Sequence, residues 1–365
     1  MHDLNPTDVN KETDVTVDTR DDAKTTATST TKAETTTKAD AKAASKARRG
    51  KLFADLAPLI GLAVLAIAFV LVGTSSGTNM GYAVETLINQ SVIIIIIATG
   101  AIFIFAMGSF DISLGASTLV AAMVAGLVHN ATGSLWLMLG AAILTAVATS
   151  LISATLAAVF NLPVFVTTVA MLSVLGAVAA ALVQTTGGAQ IRIDRAFSRE
   201  YDTLAVKLIV AAVFLALCVF LFNYTRLGRV EKLVGGNPMT AKLTGVSMKL
   251  TAIAAFGIAG LGVGLGAFLT VLRTPTLTVT SASDIGMNIL VAMVFGGMVI
   301  SGGPRSRIYA AIIGGISMAL LNQTMSIMLQ GMAGGAGIAQ MVRAVLFLAV
   351  VWLAASGFRT KVLPR

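Results

Sequence analysis

Residues 112–191 read ISLGASTLVAAMVAGLVHNATGSLWLMLGAAILTAVATSLISATLAAVFNLPVFVTTVAMLSVLGAVAAALVQTTGGAQI. None of these eighty residues is a lysine, an arginine, an aspartate or a glutamate. As a single helix the stretch would be ~120 Å long at ~1.5 Å per residue, roughly four times the hydrocarbon thickness of a bilayer. It must therefore cross a membrane several times, and turn-forming residues at 131–134 and 161–163 indicate where it folds back.

The rest of the chain beyond Lys51 has the same character. Of all residues, 56% are hydrophobic and 12% are charged, whereas soluble domains carry about 25% charged residues. Because the apolar runs are long and do not alternate with polar residues, we predict an all-α polytopic membrane protein rather than a bundle of strands. The ten predicted spans are 56–73, 87–107, 113–130, 135–160, 164–184, 204–223, 251–272, 285–300, 308–328 and 338–356.

The sequence gives little support to metal, disulfide or nucleotide chemistry. One cysteine, Cys218, excludes an internal disulfide, and two histidines leave little for a metal site. The chain contains no Gly-x-x-x-x-Gly-Lys-Ser/Thr phosphate-binding loop. We therefore predict a protein that is not an enzyme and has no catalytic residue, metal or cofactor.

Residues 1–50 have a different composition. They hold nine of the 17 acidic and nine of the 26 basic residues, twelve threonines and no aromatic residue. Such a segment buries too little apolar surface to offset its ordering entropy, and it lacks the apolar core of a signal peptide. We predict a disordered cytoplasmic tail at 1–50 and a transmembrane domain at 51–365.

The distribution of lysine and arginine predicts the orientation. If both termini lie in the cytoplasm, thirteen bases of the transmembrane domain and its flanks lie inside and five lie outside. The inside bases concentrate before the first span, in the loop 224–250, in the turn 301–307 and at the C-terminus. An even number of spans agrees with two cytoplasmic termini.

Three polar motifs interrupt the apolar spans. The first is Gly108-Ser109-Phe110-Asp111-Ile112-Ser113-Leu114-Gly115. An unpaired aspartate deep in the bilayer costs about 2.5–3.5 kcal/mol, so a helix break is a better place for Asp111. We expect Asp111 to cap the following helix beside Ser113, while Gly108 and Gly115 give the backbone freedom. A direct role of Asp111 with substrate or protons is the alternative.

The second motif lies in the loop 224–250 and comprises Thr225-Arg226-Leu227-Gly228-Arg229 and Gly235-Gly236-Asn237-Pro238-Met239-Thr240-Ala241-Lys242-Leu243-Thr244-Gly245-Val246. Asn237 is a favourable N-cap, Pro238 suits the first helical position, and Gly245 can end the helix in the left-handed conformation. We predict a helix of about two turns with Met239, Leu243 and Val246 at helical spacing. Such a helix suits docking into a groove on another protein, and a helix lying on the lipid surface is the alternative.

The third motif is a glycine-rich turn that ends a span, Gly296-Gly297-Met298-Val299-Ile300-Ser301-Gly302-Gly303-Pro304-Arg305-Ser306-Arg307. Together the three motifs resemble those of permease subunits of ABC importers for sugars, of the ribose/xylose/arabinose/galactose type. The resemblance covers about residues 56–356. The matching positions are Asp111, Ser113, Gly115, Thr225, Arg226, Gly228, Arg229, Gly235, Gly236, Asn237, Ala241, Gly245, Gly296, Gly297, Ser301, Gly302 and Gly303. The positions that depart from the family pattern are Ser109, Phe110, Pro238, Thr244 and Arg305.

The resemblance implies a transport mechanism with several partners. Two permease subunits, identical or different, would form the pathway in a bacterial inner membrane. A separate ATP-binding-cassette ATPase would move the short helix, and an extracellular sugar-binding protein would deliver a monosaccharide; no nucleic acid is implied. The residues expected at the ATPase are Gly236, Asn237, Pro238, Met239, Ala241, Leu243 and Gly245.

Substrate contacts are less well defined by the sequence. Sugar hydroxyls need amide partners, and the candidates within the bundle are Asn89, Gln90, Gln184, Asn322 and Gln323. Each of them would serve equally well in a hydrogen bond between helices. Two other functions remain open, an ABC permease for nucleosides or branched-chain amino acids, and a secondary transporter coupled to ions through acids such as Asp111 or Asp284.

Overall fold

A computed structural model describes residues 56–281, 285–298, 302–332 and 334–356. The predicted tail at 1–50, Asp284 and Ser301 lie outside these ranges. The described chain is all-α, as the sequence predicts, apart from two strands of two residues. The helices are α1 Leu56–Ser75, α2 Met80–Ala106, α3 Leu114–Thr132, α4 Leu135–Phe160, α5 Val164–Thr185, α6 Arg195–Tyr201, α7 Leu204–Tyr224, α8 Arg226–Gly236, α9 Pro238–Leu243, α10 Met248–Arg273, α11 Ile285–Phe295, α12 Tyr309–Met328 and α13 Gly335–Ser356.

Eight helices of the described chain are long and apolar enough to cross a membrane, namely α1 to α5, α7, α10 and α12. The two other predicted spans correspond to α11 and α13. The helix α11 is shorter than the predicted span 285–300, because it ends at Phe295 before Gly296 and Gly297, the latter with φ of +81°. Its 11 residues reach roughly half of the hydrocarbon thickness.

Two of the helices begin directly after polar capping residues, and a hydropathy pattern does not reveal such starts. The helix α2 begins at Met80 rather than near residue 87, because the Asn79 side chain accepts a hydrogen bond from the Tyr82 N–H (3.3 Å). The helix α10 begins at Met248 because the Ser247 hydroxyl accepts from the Leu250 N–H (3.4 Å). Each cap satisfies a backbone donor that the helix itself leaves free.

The helices α2 and α10 form the centre of the bundle, and small residues allow the helices around them to approach. A Cβ atom on Gly260 would lie 2.8 Å from Val147 Cα, and one on Gly264 would lie 2.6 Å from Ile143 Cα, both on α4. Gly262 and Gly266 occupy another face of α10 and meet Ile96 and Ile97 of α2. Glycine therefore lets α10 lie between α4 and α2.

Contacts between connections define the two ends of the bundle. At one end, β1 (Ile191–Arg192) pairs antiparallel with β2 (Thr276–Leu277), and the Asn130 side chain donates to the Arg192 carbonyl (2.8 Å); we call this the β1–β2 end. At the other end, the Gly303 N–H donates to the Ala106 carbonyl (2.8 Å). This second end also holds α8 and α9, and we call it the α9 end.

The close approach of α10 and α4 gives a testable stability difference. We expect Gly264→Ala to lower the free energy of unfolding by about 1–3 kcal/mol, because the added methyl group overlaps the α4 backbone. Gly140→Ala is the matched control, since no atom lies within 4 Å of its Cβ position. Thermal denaturation in detergent should show a lower melting temperature for Gly264→Ala alone. Equal melting temperatures would contradict the packing.

Candidate functional site

Three chain segments meet in backbone contact at the α9 end. The carbonyl of Ala106, at the end of α2, accepts the hydrogen bond from Gly303. A Cβ atom on Gly235, at the end of α8, would lie 2.0 Å from that carbonyl oxygen and 2.7 Å from the Gly303 nitrogen. A side chain at position 235 therefore cannot be accommodated without separating α8 from α2.

The turn after α11 has the same requirement for glycine. Gly302 and Gly303 have φ of +68° and +93°, a region that other L-residues rarely occupy. A Cβ atom on Gly302 would also lie 2.4 Å from the Gly108 nitrogen, and one on Gly236 would lie 3.1 Å from Pro304 Cδ. The structure thus brings together glycines from all three sequence motifs, and we call this contact the glycine junction.

The short helix α9 continues directly from the glycine junction. The Asn237 side chain accepts hydrogen bonds from the N–H groups of Met239 (3.0 Å) and Thr240 (3.1 Å), and Pro238 occupies the first turn. At the other end, Gly245 has φ of +78° and donates to the Lys242 carbonyl (3.1 Å). The Val246 N–H donates to Ala241 (3.2 Å), which completes a Schellman motif. Both ends of α9 are therefore fixed.

The two faces of α9 differ in exposure. Ala241 is fully buried and anchors the helix, whereas the side chains of Met239 and Leu243 are 66% and 81% exposed. No atom lies within 4 Å of the Cβ position of Gly245. Glycine is therefore favoured at this position by the left-handed backbone conformation and not by close neighbours. The helix presents an apolar surface away from the bundle.

The charges around α9 are of one sign at the surface. Within the described ranges both acidic residues of this end, Asp111 and Glu231, are buried. Six basic side chains of the α9 end are exposed: Arg226, Arg229, Lys242, Lys249, Arg305 and Arg307. The exposed apolar residues of α9 therefore lie in a basic surround.

Asp111 lies between α2 and α3, just before the latter begins. Its Oδ1 atom accepts hydrogen bonds from the backbone N–H (2.7 Å) and from the hydroxyl (2.6 Å) of Ser113. Burial raises the pKa of Asp111 to about 6, although both Ser113 hydrogen bonds act to lower it. Ser113 is the residue preceding α3, and its own side chain makes no capping bond. The aspartate thus orders the turn through an acceptor oxygen.

The five candidate amides for a substrate path lie on three helices, α2, α5 and α12. The Asn89 side chain on α2 accepts a hydrogen bond from Lys207 Nζ (2.7 Å) on α7, next to Gln90, which is half-buried. Gln184 is exposed at the end of α5. Asn322 and Gln323 are buried on α12, and both amide atoms of Asn322 have no hydrogen-bond partner in the described chain. Asn322 retains its full hydrogen-bonding capacity in the bundle interior.

Two polar pairs within the bundle were not apparent from the sequence. Arg343 of α13 donates from Nη1 to the Asn288 side chain (3.3 Å) on α11. Lys207 is buried and pairs with Asp202 (2.5 Å between Nζ and Oδ1) at the β1–β2 end. Asn288 is not among the five candidate amides, although it also lies in a predicted span.

The sequence does not predict α8, because residues 226–236 lie within the predicted loop 224–250. Thr225 caps it by accepting from the Leu227 N–H (3.2 Å), and this threonine could have indicated the helix start. Its buried residues are Gly228, Glu231 and Val234. The helical spacing is thus present, but a glycine and a glutamate occupy positions where apolar residues would reveal it.

Comparison with known proteins identifies the family. Residues 83–351 match the family model described as the permease component of the branched-chain amino acid transport system. The chain belongs to this permease family. The family predicted from the three motifs is thereby confirmed, and the permease is a multi-pass membrane protein. No solved structure matches it at a comparable level of significance.

Curated relatives of the permease include sugar importers. The ribose import permease protein RbsC of Escherichia coli K12 is 24% identical over 258 residues, which cover 66% of this chain and 77% of RbsC. The xylose transport system permease protein XylH of Haemophilus influenzae is 27% identical over 129 residues, 35% of this chain and 34% of XylH. The probable ABC transporter permease protein YphD of Escherichia coli K12 is 27% identical over 168 residues, 45% of this chain and 49% of YphD.

The hydrogen bonds of Asp111 predict how substitutions there behave. Asp111→Asn keeps an acceptor oxygen for the Ser113 N–H and should leave the thermal stability of the permease near that of the wild type. Asp111→Ala leaves a buried donor unsatisfied and should cost about 1–3 kcal/mol. Thermal denaturation of both variants checks this. A loss in Asp111→Asn as large as in Asp111→Ala would instead indicate a role for the charge.

Proposed function

We propose that this permease forms the translocation pathway of an ATP-binding-cassette importer for a monosaccharide. A second permease subunit, a separate ATPase and an extracellular sugar-binding protein complete the transporter. The names of RbsC and XylH, which are ribose and xylose permeases, support a sugar as substrate. The family description favours branched-chain amino acids as the second candidate.

The exposed face of α9 is the observation that carries the proposal. A rigid helix with apolar side chains in a basic surround suits a groove on a partner protein better than free solvent. The attachment of α9 to the bundle through α8 supports the proposal equally. The backbone contacts of Gly235 with Ala106 and Gly303 mean that a displacement of α8 and α9 is transmitted to α2 and to the turn before α12. We infer that the ATPase moves the permease through this connection.

The membrane orientation follows from the same end of the molecule. We propose that the α9 end faces the cytoplasm, because its exposed charges are basic and lysine and arginine accumulate on that side. The β1–β2 end, with residues 185–203, would then face outwards and receive the sugar-binding protein. Both termini would be cytoplasmic, in a bacterial inner membrane.

Ion-coupled transport receives less support from the geometry. A proton- or sodium-coupled carrier needs acidic groups that face a pathway in the membrane. Asp111 is instead hydrogen-bonded to Ser113 within its own turn. An ATP-driven importer requires no such group, and its energy enters through α9.

Replacing the apolar tip of α9 tests the ATPase contact. Leu243→Gln should leave membrane insertion and thermal stability unchanged, since the side chain is 81% exposed. It should reduce co-purification of the ATPase about tenfold or more, because burying a leucine contributes roughly 1.5–3 kcal/mol. The matched control is Trp136→Gln, which removes a similarly exposed side chain (76%) from α4. Wild-type recovery of the ATPase with Leu243→Gln would favour the lipid-surface interpretation of α9.

Single cysteines test the orientation. In a Cys218→Ser background, Thr186→Cys should react with an impermeant thiol reagent in intact cells, because it lies at the β1–β2 end. Thr240→Cys on α9 should react only after the cells are opened. Both threonines are exposed, so accessibility on the protein does not distinguish them. Reaction at position 240 in intact cells, without reaction at 186, would reverse the proposed topology.

A further inference from the structure

The buried face of α8 contains a carboxyl group that the transport mechanism does not use. Glu231 is 0% exposed, and neither of its carboxyl oxygens has a hydrogen-bond partner among the described residues. Buried carboxylates are normally paired, because an isolated charge in an apolar surround is very costly. A carboxyl group in this position is therefore stable only while it carries a proton.

The neighbouring lysine does not neutralise Glu231. Lys232 Nζ lies 4.1 Å from the centroid of the Phe222 ring and donates to the Phe222 carbonyl (3.5 Å). It acts on Glu231 electrostatically and favours ionisation, but burial outweighs it and raises the pKa of Glu231 to about 9. The lysine is thus held by α7 rather than by the carboxyl group.

The other titratable groups on α8 and on the helices packed against it, α2, α7, α9 and α10, do not offer Glu231 a partner. On α7, the thiol of Cys218 is buried and makes no hydrogen bond to Glu231. The groups near the α9 end, including those of the turn that packs on Gly235 and Gly236, are exposed: Arg226, Arg229, Tyr224, Lys242, Lys249, Arg305 and Arg307. Asp111, in the adjoining turn, is hydrogen-bonded to Ser113. The remaining groups lie towards the opposite ends of α2, α7 and α10: Tyr82, Glu85, Lys207 and Arg273.

We propose that Glu231 is a proton-binding site that latches α8 against α2, α7 and α10, so that alkaline pH releases α8 and α9 together. While docked, the carboxyl group keeps its proton. Once α8 separates from α2, α7 and α10, water reaches the Glu231 carboxyl group, which ionises and gives its proton to the solvent. The effect on transport rests on the proposed function of α9, whereas the latch itself does not.

The direction of the pH dependence follows from the two protonation states. The docked carboxyl group holds its proton up to about pH 9, whereas an exposed one loses it near its ordinary value of 4.5. Between these limits, undocking releases one proton. Each unit rise in pH therefore shifts the ratio of undocked to docked α8 about tenfold towards the undocked form.

The single cysteine of the chain reports on this equilibrium. Cys218 is buried on α7, which packs against α8, so we expect it to react with N-ethylmaleimide faster when α8 opens. The full-length chain is labelled in its own membranes at pH 7 and pH 9, and the rate is divided by that of Glu231→Gln. This division removes the pH dependence that the thiol has independently of Glu231. We expect the ratio to rise tenfold or more between the two pH values.

Two further variants complete the test. Glu231→Met has a similar volume and no titratable group, so it should behave as Glu231→Gln and replaces it if the amide variant does not fold. Glu85→Gln removes an exposed carboxyl group from α2 and should keep the wild-type pH dependence. A rise of less than tenfold in the wild-type ratio overturns the latch. Because no ATPase is needed, this result is independent of co-purification through Leu243.

Discussion

The contact of Gly235 with the Ala106 carbonyl and the Gly303 N–H is the constraint on which the rest of the permease depends. It joins the end of α2, the end of α8 and the turn before α12 without an intervening side chain. While α8 is docked, backbone contacts of this kind tolerate little relative movement, since no flexible side chain can adjust. A force applied to α9 therefore reaches the central helix of the bundle directly.

Close packing through glycine also joins the helices along the length of the bundle. The helix α10 lies against α4 through Gly260 and Gly264, and it reaches α2 through other glycines. In a bilayer, helices gain little from hiding apolar surface, and close packing of small residues supplies the association instead. The protein thus combines a closely packed centre of α2 and α10 with peripheral helices such as α7, which expose most of their apolar surface.

The sequence was informative where the signal is local. Charge-free runs predicted the spans, and the residues around Asn237 and Gly245 predicted a capped helix because each cap bonds to its own turn. The helix α8 could not be predicted because Glu231 occupies an otherwise apolar position on its buried face. The glycine junction could not be predicted for another reason. Its three motifs were each visible, but they are far apart in the chain, and only the packing of α8 on α2 brings them together.

The most direct test of the account is to ask what Leu243 touches in the cell. A photoreactive phenylalanine analogue at position 243 should cross-link, on irradiation, to a polypeptide that carries the nucleotide-binding loop absent from this chain. Mass spectrometry of the adduct would identify its Gly-x-x-x-x-Gly-Lys-Ser/Thr sequence. The same analogue at Trp136 should give no such product. Adducts at position 243 with lipid alone would contradict the assignment of α9 as the ATPase contact.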